Sequence, residues 1–476
     1  MKSRLCKIKS AVLLFVISCA AFQTFGERVA LLDGWEFSRD GKSWESVRIP
    51  HDWAICGEFS RTNDLQHVMI IQDGERVARD HTGRTGGLPW VGEGWYRRLV
   101  SLPENAREAE LVFDGAMSNP VVYSDGEKIG GCESGYVPFV VKLPVKRRQL
   151  ITVRLKNMPL SSRWYPGAGL YRPVWLRVDP KFRNEDVFVW TERIESGKAY
   201  MRVRGPDGER GFVVENPKLW TPETPHLYTL EPEGVRYGIR TVSWMDGCFR
   251  LNGEKRKFKG VCLHHDLGPI GAAFNKSAFR RQIRLLKEMG CDSIRTAHNM
   301  PCKWQMDICD EEGMMVMAES FDEWRKPKCR NGYNLVFDRC WRRDLETLVR
   351  FFRNHPCVVM WSIGNEVNEQ LDPAALSLCR EMQELCHRFD HTRPVTQGLD
   401  RLRAAIDNGF VSAMDVPGLN YRLKFYQPTN WTPIPASFPA VSNSGWPLPG
   451  LGQCIRRFCA LMSLPPPLTR SLPVRC

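Results

Sequence analysis

The sequence predicts a multidomain β plus α/β chain, and three observations carry that expectation. Short runs of alternating character, punctuated by Gly, Pro, Asn and Asp, fill the region from about Leu31 to Asp179. After Arg250, apolar β runs alternate with helical stretches, the pattern of βα units on a parallel sheet. Beyond Gln427 the character shifts to Pro-rich sequence such as PIPASFP, GWPLPG and LPPPL. At 476 residues, 43% hydrophobic and 25% charged, the chain can bury more than one core.

The N-terminus reads as a targeting segment. Lys2, Arg4, Lys7 and Lys9 precede the apolar run AVLLFVISCAAF, which is too short to span a bilayer and fits a secretory signal over residues 1–26. Val16-Ile17-Ser18-Cys19 also resembles a bacterial lipoprotein cleavage box, which would leave Cys19 lipidated; ordinary cleavage near Ala20 is the other reading. Either way export is expected, to the periplasm or the cell surface. No later stretch is long and apolar enough for a membrane helix.

The formal net charge of +13 raises nucleic acid as a partner. The basic residues are scattered, however, and clusters such as Lys146-Arg147-Arg148 and Arg280-Arg281 are short and lack a stacking platform. A solvated basic surface is the better reading, and no nucleic-acid partner is expected. The 17 cysteines form no CxxC pair and no Cys/His group at metal spacing, so neither zinc nor a disulfide framework is expected. The 16 tryptophans are partly core; aromatic faces also stack on sugar rings.

Each element follows in order. In residues 27–179 the runs WYRRLVSL, AELVFDG, NPVVYSDG and QLITVRLKN read as strands, with Asp125-Gly126 as a hairpin turn, and predict a jelly-roll β-sandwich. Residues 180–245 form a second β segment, too short for a complete immunoglobulin-like sandwich of about 100 residues. Residues 246–426 give six strands in succession: Phe258 to Leu263, Ser293 to Thr296, MMVMAES, Val358 to Ile363, PVTQG and DVPGLNY. Helices are expected over Ser277 to Met289, Lys303 to Glu312, Phe337 to Phe352 and Ala374 to Arg388. The result is an incomplete (β/α)8 TIM barrel with strands one to six, followed by an atypical tail over 427–476.

Polar residues gather at the C-terminal ends of these strands, the face where barrel enzymes put their chemistry. His264, His265 and Asp266 follow the first strand; Arg295, His298 and Asn299 the second; Glu319 the third; Asn365 and Glu366 the fourth; Asn420 and Tyr421 the sixth. One such residue could simply cap a strand. Five strand ends carrying hydrogen-bonding groups toward one mouth predict a site.

The segments RNHPCVVMWSIGNEV, DSIRTAHNMPCKWQMDICDEEGMMVM and GVCLHHDLGPIGAAF resemble glycoside hydrolase family 2, which holds β-galactosidases, β-glucuronidases and β-mannosidases. Upstream, VRIPHDW, GEGWYRR and SSRWYPGAGLYRPVWL resemble its sugar-binding jelly-roll domain, and NPKLWTPETPHLYTL its immunoglobulin-like domain. SSRWYPGAGLYR and the HHD loop lean toward the β-galactosidase branch. The resemblance implies retaining hydrolysis of a terminal β-linked sugar, with an acid/base carboxyl and a nucleophilic carboxylate about 5–5.5 Å apart. Glu366 matches the acid/base, Asn365 the residue that bonds the 2-hydroxyl, and His264, His298 and Tyr421 positions that line the sugar pocket. Glu319 matches a position that helps bind magnesium beside a His two residues on. Here Phe321 stands in that place, so no metal or other cofactor is implied.

The nucleophile of the family is a Glu on the seventh strand. In this sequence no Asp or Glu follows Asp415, although about eight would be expected in the remaining 61 residues at the frequency of the first 415. The expectation is that the seventh and eighth βα units are absent, as after a shifted reading frame from about residues 427–435; a divergent tail is the alternative. The function expected is thus a β-galactosidase-like glycosidase impaired by a missing nucleophile. A non-catalytic carbohydrate-binding remnant, a β-glucuronidase and a β-mannosidase remain as alternatives.

Overall fold

A computed structural model describes residues 28–57, 91–245 and 247–421, with the backbone alone of 68–69 and 78–79. The expected signal segment, Cys19 and the Pro-rich tail lie outside the described residues.

The first unit is a β-sandwich. A four-stranded antiparallel sheet takes Arg28–Ala30, Val174–Val178, Ala109–Phe113 and Phe139–Lys142 in that order. A six-stranded sheet faces it: Glu45–Val47, Trp35–Ser38, Gly92–Ser101, Arg148–Asn157, Val121–Ser124 and Glu127–Gly131. Strand Arg148–Asn157 shows why two layers form, since its buried and less buried residues alternate with the strand period of two. Its inward Ile151, Val153 and Leu155 meet Trp35, Phe37, Trp53 and Tyr96 in one core. Asp125 (φ 48°) and Gly126 (φ 85°) make the expected hairpin turn, both in the left-handed region that such turns require.

A second β unit follows, with strands Phe188–Glu195, Lys198–Gly205 and Gly208–Glu215 in one sheet and Tyr228–Leu230 paired with Val235–Tyr237. Val187, Val189, Ala199, Met201, Val203, Leu230, Val235, Tyr237 and Ile239 form its own small core. Among the described residues these two sheets hold five strands, and a separate three-stranded sheet, Val242–Met245, Cys248–Leu251 and Glu254–Lys255, leads on to the barrel.

The third unit is a six-stranded parallel sheet whose strands pair strictly in chain order. They are β1 (Gly260–Leu263), β2 (Ser293–Thr296), β3 (Met315–Glu319), β4 (Val358–Asn365), β5 (Val395–Leu399) and β6 (Val416–Leu419). The connecting helices are α1 (Lys276–Glu288), α2 (Lys303–Glu312), α3 (Phe337–Phe352), α4 (Leu376–Phe389) and α5 (Leu402–Asp407). Asn275 caps α1 by accepting from the Ala278 N–H, and Gly290 (φ 88°) and Gly313 (φ 69°) turn the chain out of α1 and α2. Helix α3 buries Phe337, Trp341, Leu345, Leu348 and Phe352, the residues that its sequence spaces at three and four. Each such burial is worth about 1.5–3 kcal/mol, and cutting Leu345 to Ala at the centre of that stripe would cost about 2–5 kcal/mol.

Candidate active site

Strand β4 is buried along its whole length, so its apolar run fixes where the following residues emerge. Asn365 ends the strand and Glu366 follows in the left-handed backbone region at φ 45°. A non-glycine residue there costs on the order of 1–3 kcal/mol and persists only where the surroundings hold it. Here the Glu366 N–H donates to the Gly398 carbonyl at 2.8 Å, and Asn420 Nδ2 donates to Glu366 Oε1 at 2.7 Å. Glu366 is half-buried. Tyr421, 70% exposed, sets its hydroxyl against the same carboxylate.

Asn365 is held on both sides of its amide. Arg295 Nη2 and Asn420 Nδ2 donate to its Oδ1 at 2.9 and 3.3 Å, and its Nδ2 donates to Asp322 Oδ1 at 2.9 Å. Arg295 in turn donates to Glu319, fully buried at the end of β3, whose other partners are His298 Nδ1 at 2.6 Å and the Ser362 hydroxyl at 2.5 Å. Burial alone would raise the Glu319 carboxyl, but the Arg295 cation and the His298 bond hold it below its usual range.

The expected pocket residues separate. His264 and His298 meet edge to face at 5.6 Å between centroids, with Trp164 of the sandwich 5.2 Å from His264 and 5.7 Å from His298. Burial, then the neighbouring His298, holds the His264 imidazole below its ordinary pKa and so neutral. His265 turns the other way: it is placed against Tyr136 and Tyr171, with Nε2 at 3.0 Å from the Pro166 carbonyl, and burial pulls its pKa down to about 3. It belongs to the joint between sandwich and barrel.

Sequence reasoning missed Asp322, Lys328 and Arg163. Arg163 Nε donates to Asp322 Oδ2 at 2.7 Å and a second guanidinium nitrogen to Oδ1, a fork between the sandwich and the mouth. Lys328 Nζ lies 3.1 Å from Asp322 Oδ1 and 2.6 Å from the Asn365 carbonyl. Burial would raise the Asp322 carboxyl, yet Lys328 and Arg163 overcome it and hold the group far below the usual carboxylate range. The signal was present in the motif SSRWYPGAGLYR and in ESFDEW after β3, but nothing local pairs residues 159 apart. Behind this cluster a small cavity of about 60 Å³ is lined by Ser134, Ser162, Trp164, His298, Asp322 and Tyr333, among others.

The profile described as "Glycosyl hydrolases family 2, TIM barrel domain" matches residues 242–416, and "Glycosyl hydrolases family 2" matches 181–234. β-Galactosidase BoGH2A of Bacteroides ovatus is 32% identical over 508 residues, covering 87% of this chain and 57% of its own. The chain belongs to glycoside hydrolase family 2. A β-glucuronidase of Paenibacillus borealis is 25% identical to this family 2 chain over 439 residues, 76% of this chain and 71% of that one. The solved structure of a family 2 member from Bacteroides cellulosilyticus superposes with a TM-score of 0.72 at 28% identity, covering 84% of this chain and 59% of that one. The family 2 chain therefore spans a little under three fifths of the Bacteroides ovatus enzyme and of that solved chain. Its described residues hold a β-sandwich, a smaller β unit and six parallel strands of the family 2 barrel, the multidomain β and incomplete TIM-barrel architecture expected from the sequence. No described helix is long and apolar enough to cross a membrane.

Proposed function

We propose that this chain carries the acid/base half of a retaining β-galactosidase-type site and recognises a terminal β-linked sugar. The observation that carries the reading is the pairing at the end of β4. Glu366 is held in a strained backbone by Gly398 and Asn420, beside an Asn365 amide whose orientation Arg295 and Asp322 dictate. With Oδ1 committed to Arg295 and Asn420, the second Nδ2 hydrogen of Asn365 is the group able to meet a sugar hydroxyl. In such a reaction Glu366 would protonate the glycosidic oxygen and later deprotonate the attacking water. Trp164, His264 and His298 offer an aromatic and imidazole wall for the sugar ring, and Tyr421 a hydroxyl beside the acid.

Turnover also needs a nucleophile. The other carboxylates described at the mouth include Glu319 and Asp322, which cations and hydrogen bonds engage, and Asp266 after β1, which accepts from the Gly268 N–H and lies on the His264 side. Residues 416–476 contain no Asp or Glu. We therefore propose binding with little or no hydrolysis. A galactoside fits better than a glucuronide, because a substrate carboxylate would need a cation at the mouth. Among the described residues Arg163 and Lys328 are turned onto Asp322, and Arg295 onto Glu319. Export, with or without a lipid on Cys19, suits a protein that meets glycans outside the cytoplasm.

The test is equilibrium binding of an aryl β-thiogalactoside, read from tryptophan emission, with Asn365→Ala alongside. Saturable binding that Asn365→Ala weakens about tenfold, as loss of one well-placed polar contact does, supports the reading. Tighter binding of the thioglucuronide, or none of either by folded protein, would sink it.

A further inference from the structure

A cleft of about 460 Å³ lies between the three-stranded sheet of the second β unit and the N-terminal ends of β4 and β5, the end of the barrel sheet opposite the mouth. Its floor holds the guanidiniums of Arg240, Arg353 and Arg393, each at most 7% exposed. Arg393 pairs with Asp390 at 2.5 Å. Arg240 donates to the Pro356 and Val358 carbonyls at 2.8 and 2.7 Å, and Arg353 to those of Phe389 and Glu185 at 3.1 and 3.0 Å. Among the described residues neither has a carboxylate partner, and the buried Nε of Arg353 has no partner at all. The wall adds Arg202 and Arg204, which share Glu192 and Glu209 at 3.0–3.6 Å.

The floor thus carries three buried guanidiniums around Asp390, which bonds Arg393 and acts on Arg240 and Arg353 only at a distance, as do Asp310 on Arg240 and Asp186 on Arg353. Carbonyl dipoles satisfy the hydrogen bonds of Arg240 and Arg353 without cancelling their charge, and a buried charge without a directly bonded counter-charge is costly. Burial accordingly pulls Arg240 down to about 9 and Arg353 down to about 10. A guanidinium presents a planar fork of donors that matches an oxyanion. We propose that this cleft is an oxyanion-binding site, taking a sulfate, phosphate or carboxylate group, free or carried on a sugar, between Arg240 and Arg353 below and Arg202 and Arg204 beside. An occupant there would tie the second β unit to the barrel, at a distance from the mouth and independently of any chemistry at Glu366.

Isothermal titration of the folded chain with sulfate, with phosphate, with glucuronate and with galactose 6-sulfate, against chloride at constant ionic strength, tests this. Saturable binding at one site is expected. Arg353→Gln should weaken it roughly tenfold or more, the scale of a charge-assisted contact. That variant also loses carbonyl partners and could fail to fold, so Glu209→Gln on the exposed rim is the second arm. It removes a competing carboxylate and should tighten binding about two- to fivefold, the range of an exposed pair. Tenfold tighter binding of a sugar acid or sugar sulfate than of the free ions would identify a glycan as the source; equal or weaker binding would identify an inorganic ion. No saturable binding of any of the four, or binding that Glu209→Gln leaves unchanged, overturns the proposal.

Discussion

Replacing Arg163 by Ala cuts the fork that joins the sandwich to the barrel mouth. The two side chains are only 20% and 11% exposed, so the pair is screened far less than a surface bridge. Removing one partner of a buried pair costs about 3–5 kcal/mol. Asp322 would keep Lys328 and the Asn365 amide, which lowers the expectation to about 2–3 kcal/mol. A double-mutant cycle of Arg163→Ala and Asp322→Ala, read from urea unfolding by tryptophan fluorescence, should give a coupling of about 2 kcal/mol. The acid limb gives a second reading. Asp322 releases its proton more readily folded than unfolded, so its contribution is present above the ordinary aspartate value of about 3.9 and is lost as pH falls through the lower folded value. Arg163→Ala should flatten that limb. A loss below about 0.5 kcal/mol with no coupling, the behaviour of an exposed pair, would refute the reasoning.

Three further outcomes follow from the same geometry. A methyl added at Gly398 would meet Arg295 Nη2 at 2.9 Å and the Asn420 amide at 3.0 Å, and Arg295 is buried in its bonds to Glu319 and Asn365, so Gly398→Ala should weaken thiogalactoside binding several-fold, read by titration, and cost about 1–3 kcal/mol in melting. Asp52, buried in the sandwich, accepts from the Tyr165 hydroxyl and from the N–H groups of Ala272, Ala168 and Ala54 at 2.5–3.0 Å; Asp52→Ala orphans all of them and should cost about 3 kcal/mol or more in thermal unfolding, with Asp52→Asn milder. Burial would lower the His355 pKa, but Asp310 at 2.6 Å overcomes it and raises the group. Its contribution is therefore full below the unfolded histidine value near ~6.5 and lost as pH rises through the higher folded value. His355→Gln should remove that alkaline decline in the urea midpoint as pH rises above ~6.5.

The barrel strands were legible because parallel strands buried on both faces read as continuous apolar runs, as VVMWSIGN does. The helices were legible for the opposite reason: α3 spaces its apolar residues at three and four with charge between. Helix α5 was not anticipated, since LRAAID is too short to show a period. At the mouth, Glu366, Asn365, His264, His298 and Tyr421 could be named from strand ends and from family resemblance. Their partners could not. Whether Asn365 faces Arg295 or Asp322 faces Arg163 depends on packing between residues 70 and 159 apart, and no local pattern encodes it. His265 shows the same limit, because its neighbour His264 lines the mouth while it is buried against Tyr136 and Tyr171.

The proposal that Glu366 acts in residues 1–476 without a nucleophilic carboxylate is tested most directly by hydrolysis of an activated aryl β-galactoside by the folded 476-residue chain, with Glu366→Gln as control. A good leaving group needs little acid assistance, so the assay asks mainly whether any carboxylate attacks the anomeric carbon. The account predicts no turnover above the control from protein that still binds the thiogalactoside. Turnover at rates of about 1–10³ s⁻¹, typical of enzymes, falling in Glu366→Gln, would show that another carboxylate serves and would contradict it.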